Sequence, residues 1–597
     1  VNETALATKS GVDIERRNEL IRSFAKWLLV GGTLVTGAVC YGFFYRRGLG
    51  LSLIGYSLSP SERVLRGEIP YRDFLFNYTP GVLWINALLM KWFGATLMAS
   101  RIGLLGFKLA TLIALLLVTA RLTSAWTAPI PALLMLAWIG YGQIINVYPD
   151  QYLILFALIS LLLMLRYNET GSNLLLILCG ATAGLVFLFK HNVGVYVFVA
   201  GIAAIAAREA ASKNENWHRL GLRRLSLRLG SYSGGFAVVA GALVTYLIYN
   251  HALGPMIAHF VSHAAEYSET RSVGLRSPVL IIPVAILALP TLAVALGILF
   301  LGKERHRFAF LVYCAYLSVI AVGGSLWLLH STRGKTFNDC VLTTVAYFPP
   351  VIFLFGAATA IWQLREVNWR AGGWWERNGA TAITGLFALA VYLELYPRAD
   401  FFHLVRVLPL VFVFFVAMLF RAMPALTGLL RRVALSPGLA GACLVAVPLI
   451  WLAVAGVHNC WGPELDQRYR FRDIRELMID RGRGILVEEG QARLAEGLVN
   501  LIHDNSSPDD SIFSFAQRGS ALYFLAGRRN PSRLLWWSSV GINASERDAV
   551  MKMVSEGEPK LIIVQDIAAN EGLIETMSET YSRLGRVEDI AVFERKN

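Results

Sequence analysis

The sequence predicts a mainly α-helical polytopic membrane protein that ends in a soluble α/β domain. Three observations predict it. Of 597 residues, 55% are hydrophobic and only 16% charged, and the apolar residues gather into charge-poor runs of about twenty, the length a bilayer core requires. The Arg and Lys residues behind the net charge of +14 are dispersed over the short connections between those runs, which speaks for orientation in a membrane and against a nucleic-acid-binding face. From about residue 458 the chain turns charged, and its apolar stretches shorten to strand length.

The elements follow in chain order. Residues 1–25 are polar and of mixed charge, and read as a cytoplasmic segment. The first apolar run, about Trp27 to Tyr45, has no small-residue cleavage site before Arg46-Arg47 and reads as an uncleaved first span. Residues 26–457 then hold about thirteen spans, starting near 26, 101, 129, 150, 173, 192, 231, 279, 307, 341, 379, 402 and 438. The segment Thr79 to Phe93 is apolar but short, opens with Thr79-Pro80-Gly81 and ends in Lys91-Trp92, so it predicts an interfacial helix rather than a span. With a cytoplasmic N-terminus, the basic connections at Arg121, Arg166, 208–228, 303–307, 365–377 and 421–432 all fall on the cytoplasmic side. The first loop (47–100) and the domain 458–597 then lie outside. A full span at 79–93 would turn the 208–228 cluster outward, so charge decides against it. In 458–597, strand-length stretches at Gly484–Val487, Ser511–Phe515, Lys560–Val564 and Asp589–Phe593, with an amphipathic helix over Gln491–His503, predict an α/β unit. It carries no GxGxxG and no P-loop, and is expected to have a structural or acceptor-contacting role. The six cysteines show neither CxxC nor metal-ligand spacing, and most lie in apolar runs as small hydrophobes.

The outer first loop runs from Ser59-Pro60-Ser61-Glu62-Arg63 through Pro70-Tyr71-Arg72-Asp73 to Asn77-Tyr78-Thr79-Pro80-Gly81, and is too polar and turn-rich for a passive link. With Trp84-Ile85-Asn86 and Trp92-Phe93-Gly94 it resembles the first periplasmic loop of the GT-C glycosyltransferases, in the branch of the lipid A aminoarabinose transferase and the protein O-mannosyltransferases. The resemblance continues through Tyr148-Pro149-Asp150-Gln151-Tyr152, Phe189-Lys190-His191-Asn192 and Tyr396-Pro397-Arg398-Ala399-Asp400-Phe401-Phe402-His403. The motifs are short; their order and common sidedness carry the likeness. It implies sugar transfer from a polyprenyl-phosphate donor to a glycan, lipid or protein acceptor outside the cytoplasm, in a bacterial inner membrane, with an acidic residue at Asp150. Where family members open the first loop with an Asp-Glu pair, this chain has Leu53 and Ile54.

Such chemistry needs a carboxylate to take the acceptor's proton and cations to hold the leaving phosphate. Asp73, Asp150 and Glu62 are the carboxylate candidates. Lys190, His191, Arg333, Lys335, Arg398, Asp400, His403 and Tyr78 are the substrate-binding candidates. Each has a plainer reading: Asp73 can pair with its neighbour Arg72, Asp150 can cap the following helix, and Lys190 and Arg398 can reach for lipid headgroups. No resident cofactor is expected, the lipid-linked sugar being a substrate. His259, His263 and Glu266 share one face if their loop is helical, and are the candidate set for a divalent metal. Competing readings are a lipid or sugar transporter, whose site would lie at mid-membrane, and a non-catalytic relative that binds lipid or a partner.

Overall fold

The computed structural model describes residues 2–139, 147–211, 221–271, 352–353, 356, 373–395, 401–430, 437–461, 474–516, 518–535, 537, 544–565 and 571–596. The helices of the membrane part are α1 (Asn2–Phe44), α2 (Leu51–Leu65), α3 (Gly81–Phe93), α4 (Leu97–Leu122), α5 (Pro129–Ala137), α6 (Pro149–Thr170), α7 (Asn173–Phe189), α8 (His191–Ala211), α9 (Leu222–Tyr249), α10 (Leu253–Arg271), α11 (Trp374–Tyr392), α12 (Phe401–Leu430) and α13 (Pro437–Gly456). Among the described residues seven helical segments are long and apolar enough to cross a membrane: Ile21–Phe44, Leu97–Leu122, Pro149–Thr170, His191–Ala211, Leu222–Tyr249, Trp374–Leu395 and His403–Arg421. The chain is thus a multi-pass membrane protein. The spans expected from 279, 307 and 341 lie outside the described residues, and the one from 129 is described as a helix only over Pro129–Ala137.

Without a hydrophobic drive between helices in lipid, close packing needs small residues at the contact. Helices α7 and α9 meet through Gly180 and Gly235, where a side chain would collide with the backbone of Tyr232 and Ile177 respectively. The short helix α3 is about 20 Å long at 1.5 Å per residue, too short for a bilayer core. Its start is pinned to the end of α7: Thr79 donates to the Phe187 carbonyl at 2.7 Å, and a Cβ on Gly81 would stand 2.7 Å from the Leu188 carbonyl oxygen. Its far end leaves Trp92 and Phe93 exposed, as befits an interfacial anchor.

The C-terminal part is an α/β unit. A two-stranded antiparallel ribbon joins β1 (Ile474–Glu476) and β2 (Leu486–Glu488). After α14 (Glu489–Asp504) come β3 (Ile512–Ser514), α15 (Ser520–Leu525), α16 (Ala544–Ser555), β4 (Leu561–Gln565), α17 (Glu571–Met577), β5 (Tyr581–Val587) and β6 (Ile590–Arg595). The four-stranded sheet runs β3-β4-β6-β5, with β3 parallel to β4 and the other pairs antiparallel. Leu561 to Val564 are buried at every position, as a central strand covered on both faces requires. In α14 the buried Ala492, Ala495, Leu498, Val499 and Ile502 recur at helical spacing and form its inner stripe.

The first loop and this unit are clasped together. Leu486 donates its amide to the Arg46 carbonyl at 2.6 Å and accepts from the Gly48 amide at 2.7 Å, so β2 pairs with the exit of the first span. Ser59 donates to the Ser520 carbonyl at 2.9 Å, and Arg63 to the Ser532 carbonyl at 2.8 Å. Leu75 donates to the Arg533 carbonyl at 2.8 Å, while its side chain joins the apolar cluster of Phe513, Phe515 and Ile562. Gly55 lies against α15 so closely that a Cβ would fall on the backbone of Ser520 and Ala521.

Candidate functional site

Five charged side chains are buried together at one end of the helix bundle, each supplied by a different element. Asp150 stands in the first turn of α6, behind Pro149, where the helix N-terminus favours a negative charge. Lys190 is the single extended residue between α7 and α8, with φ −153° and ψ 107°. Glu394 lies in the 3-10 turn Leu393–Leu395 after α11. Arg406 comes from α12 and Lys108 from α4.

Lys190 Nζ donates to Asp150 Oδ1 at 2.9 Å and to Glu394 Oε1 at 2.7 Å. The lysine side chain is 7% exposed and both carboxylates 0%. Arg406 donates to the second oxygen of Asp150, so both Asp150 oxygens are taken. Glu394 Oε2 and Arg406 Nε are buried without a hydrogen-bond partner among the described residues. Lys108 donates to the side-chain carbonyl of Gln151, and among the described residues no carboxylate forms an ion pair with it. Aromatic rings cover the outer side: Lys190 Nζ lies 5.1 Å from the Tyr78 ring centre and the Arg406 guanidinium 4.9 Å from that of Tyr148. Tyr56 stacks on Tyr148 at 5.4 Å. Such cation–π contacts hold charges in place where water cannot.

A cleft opens beside these groups. Lys108, Asp150, Gln151 and Arg406 line its polar side, and Trp138, Ile154, Val405, Leu408 and Phe412 its apolar side. Counted over the described cluster, three cations face two carboxylates. Burying an unmatched cation costs several kcal/mol, and Lys108 has only a neutral amide for it. An anion entering the cleft would restore the balance.

The structure brings together only part of the sequence-derived set. Asp150, Lys190 and Tyr78 belong to the cluster. Lys190, expected as a phosphate ligand, is committed to two carboxylates and is not a lining residue of the cleft. Asp73 does not line it either: its oxygens bind Arg72 at 2.8 Å and the Ile69 amide at 2.7 Å, closing a turn, and the Arg72 guanidinium holds its carboxyl below the ordinary aspartate range. Glu62 pairs with Arg66 and Arg481, both at 2.8 Å, and so tethers the loop to the C-terminal unit. His191 stacks on Phe260 at 4.3 Å. His403 opens the long apolar segment of α12. Arg333, Lys335, Arg398 and Asp400 lie outside the described residues, as does the side chain of Glu266. His259 hydrogen-bonds Asn77 at 2.9 Å and its ring lies 5.8 Å from that of His263; among the described residues no group of three His, Cys, Asp or Glu is placed to hold a metal.

Sequence reasoning passed over Lys108, Glu394 and Arg406. Each is a lone charge inside an apolar run, in Gly106-Phe107-Lys108-Leu109, Tyr392-Leu393-Glu394-Leu395 and Leu404-Val405-Arg406-Val407. That isolation was the available signal, since an ionisable group at membrane depth is expensive and marks a functional place.

Residues 77–227 match the model of the family described as dolichyl-phosphate-mannose-protein mannosyltransferase, a segment that includes Asp150 and Lys190. The family agrees with the branch that the loop motifs resemble. No curated protein matches the chain. Among solved structures, ArnT from Cupriavidus metallidurans bound to undecaprenyl phosphate is 16% identical, covers 95% of this chain and 97% of its own, and gives a TM-score of 0.46. The oligosaccharyltransferase of Archaeoglobus fulgidus in the apo form is 12% identical, with coverage of 94% and 73% and a TM-score of 0.48. The archaeal oligosaccharyltransferase AglB from the same organism, in complex with an inhibitory peptide and a dolichol-phosphate, is 12% identical, with coverage of 95% and 74% and a TM-score of 0.41. At these scores none of the three bears on the role of an individual residue.

Proposed function

We propose that this chain is a membrane glycosyltransferase that moves a sugar from a polyprenyl-phosphate donor to an acceptor on the extracytoplasmic face. One observation carries the reading: Lys108, a buried ammonium that pairs with no carboxylate among the described residues, and Arg406, whose buried Nε has no hydrogen-bond partner among them, line the same cleft. Two cations on a partly apolar cleft at the end of spans suit a phosphate that arrives on a lipid chain. The family match over 77–227 supports the same chemistry. Arg406 and Lys108 would stabilise the charge that develops on the phosphate as the bond to the sugar breaks. Asp150 is the carboxylate in the cleft and would accept the proton of the acceptor. The acceptor would approach from the first loop, with the domain 458–597 outside and the N-terminus cytoplasmic, in the inner membrane of a bacterium. Reporter fusions at Asn214 and Ser545 test that orientation, and the same side for both would refute it.

Binding of undecaprenyl phosphate to the purified protein tests the site. Arg406→Ala and Lys108→Ala are each expected to weaken it at least tenfold, about the worth of one charge-assisted contact. Unchanged affinity in the double variant would remove the phosphate from this cleft. A second reading, a lipid-binding relative without turnover, is favoured by Ile54, which is buried where the resemblance expects an acidic pair. Binding without sugar transfer from any prenyl-phosphate donor would select it.

A further inference from the structure

We propose that Asp150 and a lipid-linked phosphate compete for Arg406: the carboxylate holds the guanidinium until the phosphate takes it over, and only then can an Asp150 oxygen accept a proton. The inference rests on the functional reading above and adds an order of events to it.

Both oxygens of Asp150 are engaged, one by Lys190 and one by Arg406. A carboxylate held this way is a poor base, because a proton must displace a cation. The two cations are not equivalent. Lys190 is bound twice, to Asp150 at 2.9 Å and to Glu394 at 2.7 Å, lies under the Tyr78 ring, and does not line the cleft. Arg406 lines the cleft together with Asp150 and Lys108, and its Nε has no hydrogen-bond partner among the described residues. An incoming anion therefore meets Arg406 and not Lys190. Asp150 gives the guanidinium one oxygen, whereas phosphate offers its fork paired oxygens and gains Lys108 as well. Lys190, anchored by Glu394, stays behind and keeps Asp150 in position.

The transfer then balances. The acceptor hydroxyl oxygen bonds to the anomeric carbon, and its proton passes to the released Asp150 oxygen. The bond from the anomeric carbon to the phosphate oxygen breaks, and its electron pair leaves on the phosphate beside Arg406 and Lys108. A donor must bind before the base is open, which also protects the site from idle proton exchange with water.

Asp150→Asn keeps the size of the side chain and removes the competing charge. Binding of undecaprenyl phosphate to the full chain in nanodiscs, read by native mass spectrometry, is expected to tighten about tenfold, since a neutral amide competes weakly for a guanidinium. A carboxylate that only orients Arg406 predicts the opposite sign, and an unchanged or weaker affinity overturns the inference. If the wild-type chain takes up no undecaprenyl phosphate, the functional reading falls and the inference with it; uptake without tightening sinks the inference alone. Should Asp150→Asn fail to fold, the wild-type chain with carbon-13-labelled aspartate carboxyls serves instead. Infrared difference spectra are expected to show an aspartate carboxylate band shifting on addition of undecaprenyl phosphate and not of undecaprenol. No phosphate-specific shift overturns the proposal.

Discussion

Replacing Lys190 by methionine removes the ammonium that two buried carboxylates share. Breaking a buried ion pair by deleting one partner costs about 3–5 kcal/mol, because the other charge remains without water or counter-ion. Asp150 would keep Arg406. Glu394 would keep no ion-pair partner among the described residues and would stand beside the like-charged Asp150. The loss should therefore fall in the upper part of that range, about 4 kcal/mol, or roughly a thousandfold in the folded fraction. The double variant Lys190→Met with Glu394→Gln carries no orphaned charge and should recover about half of it, as neutral replacements of buried ion pairs often do. The assay is the fraction of monodisperse protein that survives a graded denaturant challenge in detergent, compared across wild type, single and double variants. A single variant that loses less than about 1 kcal/mol would refute the reasoning, for surface pairs alone behave so. A double variant no better than the single would refute it as well.

Other perturbations read other parts of the molecule. Gly235→Val places a side chain on the Ile177 backbone and should cost about 1–3 kcal/mol or more through overpacking, seen as aggregated protein in size-exclusion profiles. Gly55→Val should push α2 off α15 and raise protease cleavage of the first loop, while Gly106→Val, where a Cβ has open space, should not. Burial holds the His259 imidazole down at about 4, and the neighbouring His263 and Arg533 push the same way. A released His259 would titrate near 6.5, so the open state binds more protons between those values and loop closure weakens as pH falls through that window. From pH 7 to 5 the loss is about 2 kcal/mol, measurable as faster hydrogen exchange across residues 71–78, and it should vanish in His259→Gln.

What the sequence disclosed follows from what repeats along it. The spans that fall among the described residues, the short helix α3 and the helix α14 carry their physics in a run or a period, and most of them start within about five residues of the expected places. Strand β5 escaped notice because it is the edge of the sheet: Ser582, Arg583 and Arg586 are exposed, so no apolar run marks it. Strand β1 is only Ile474–Glu476, too short for a pattern. The charged cluster was half legible. Asp150 and Lys190 flank helix ends and sit in motif-like clusters, whereas Lys108, Glu394 and Arg406 are diluted in hydropathy by their apolar neighbours. Their meeting depends on helix rotation, which a window average does not hold. The pairing of Glu62 with Arg481 joins residues far apart in sequence, and nothing local announces it.

The clasp between first loop and C-terminal unit also orders the making of the molecule. The amide of Gly48, the hydroxyl of Ser59, one guanidinium nitrogen of Arg63 and the amide of Leu75 find acceptors in residues 486 to 533. Synthesis delivers those acceptors only after the intervening membrane helices. Until then the loop that roofs the ionic cluster lacks partners for its polar groups and a socket for Leu75, so it stays open to water and to quality-control proteases. Completion of the roof thereby reports that the membrane helices before residue 486 have been made, and a ribosome that stops before that point leaves a bundle whose charged interior is uncovered.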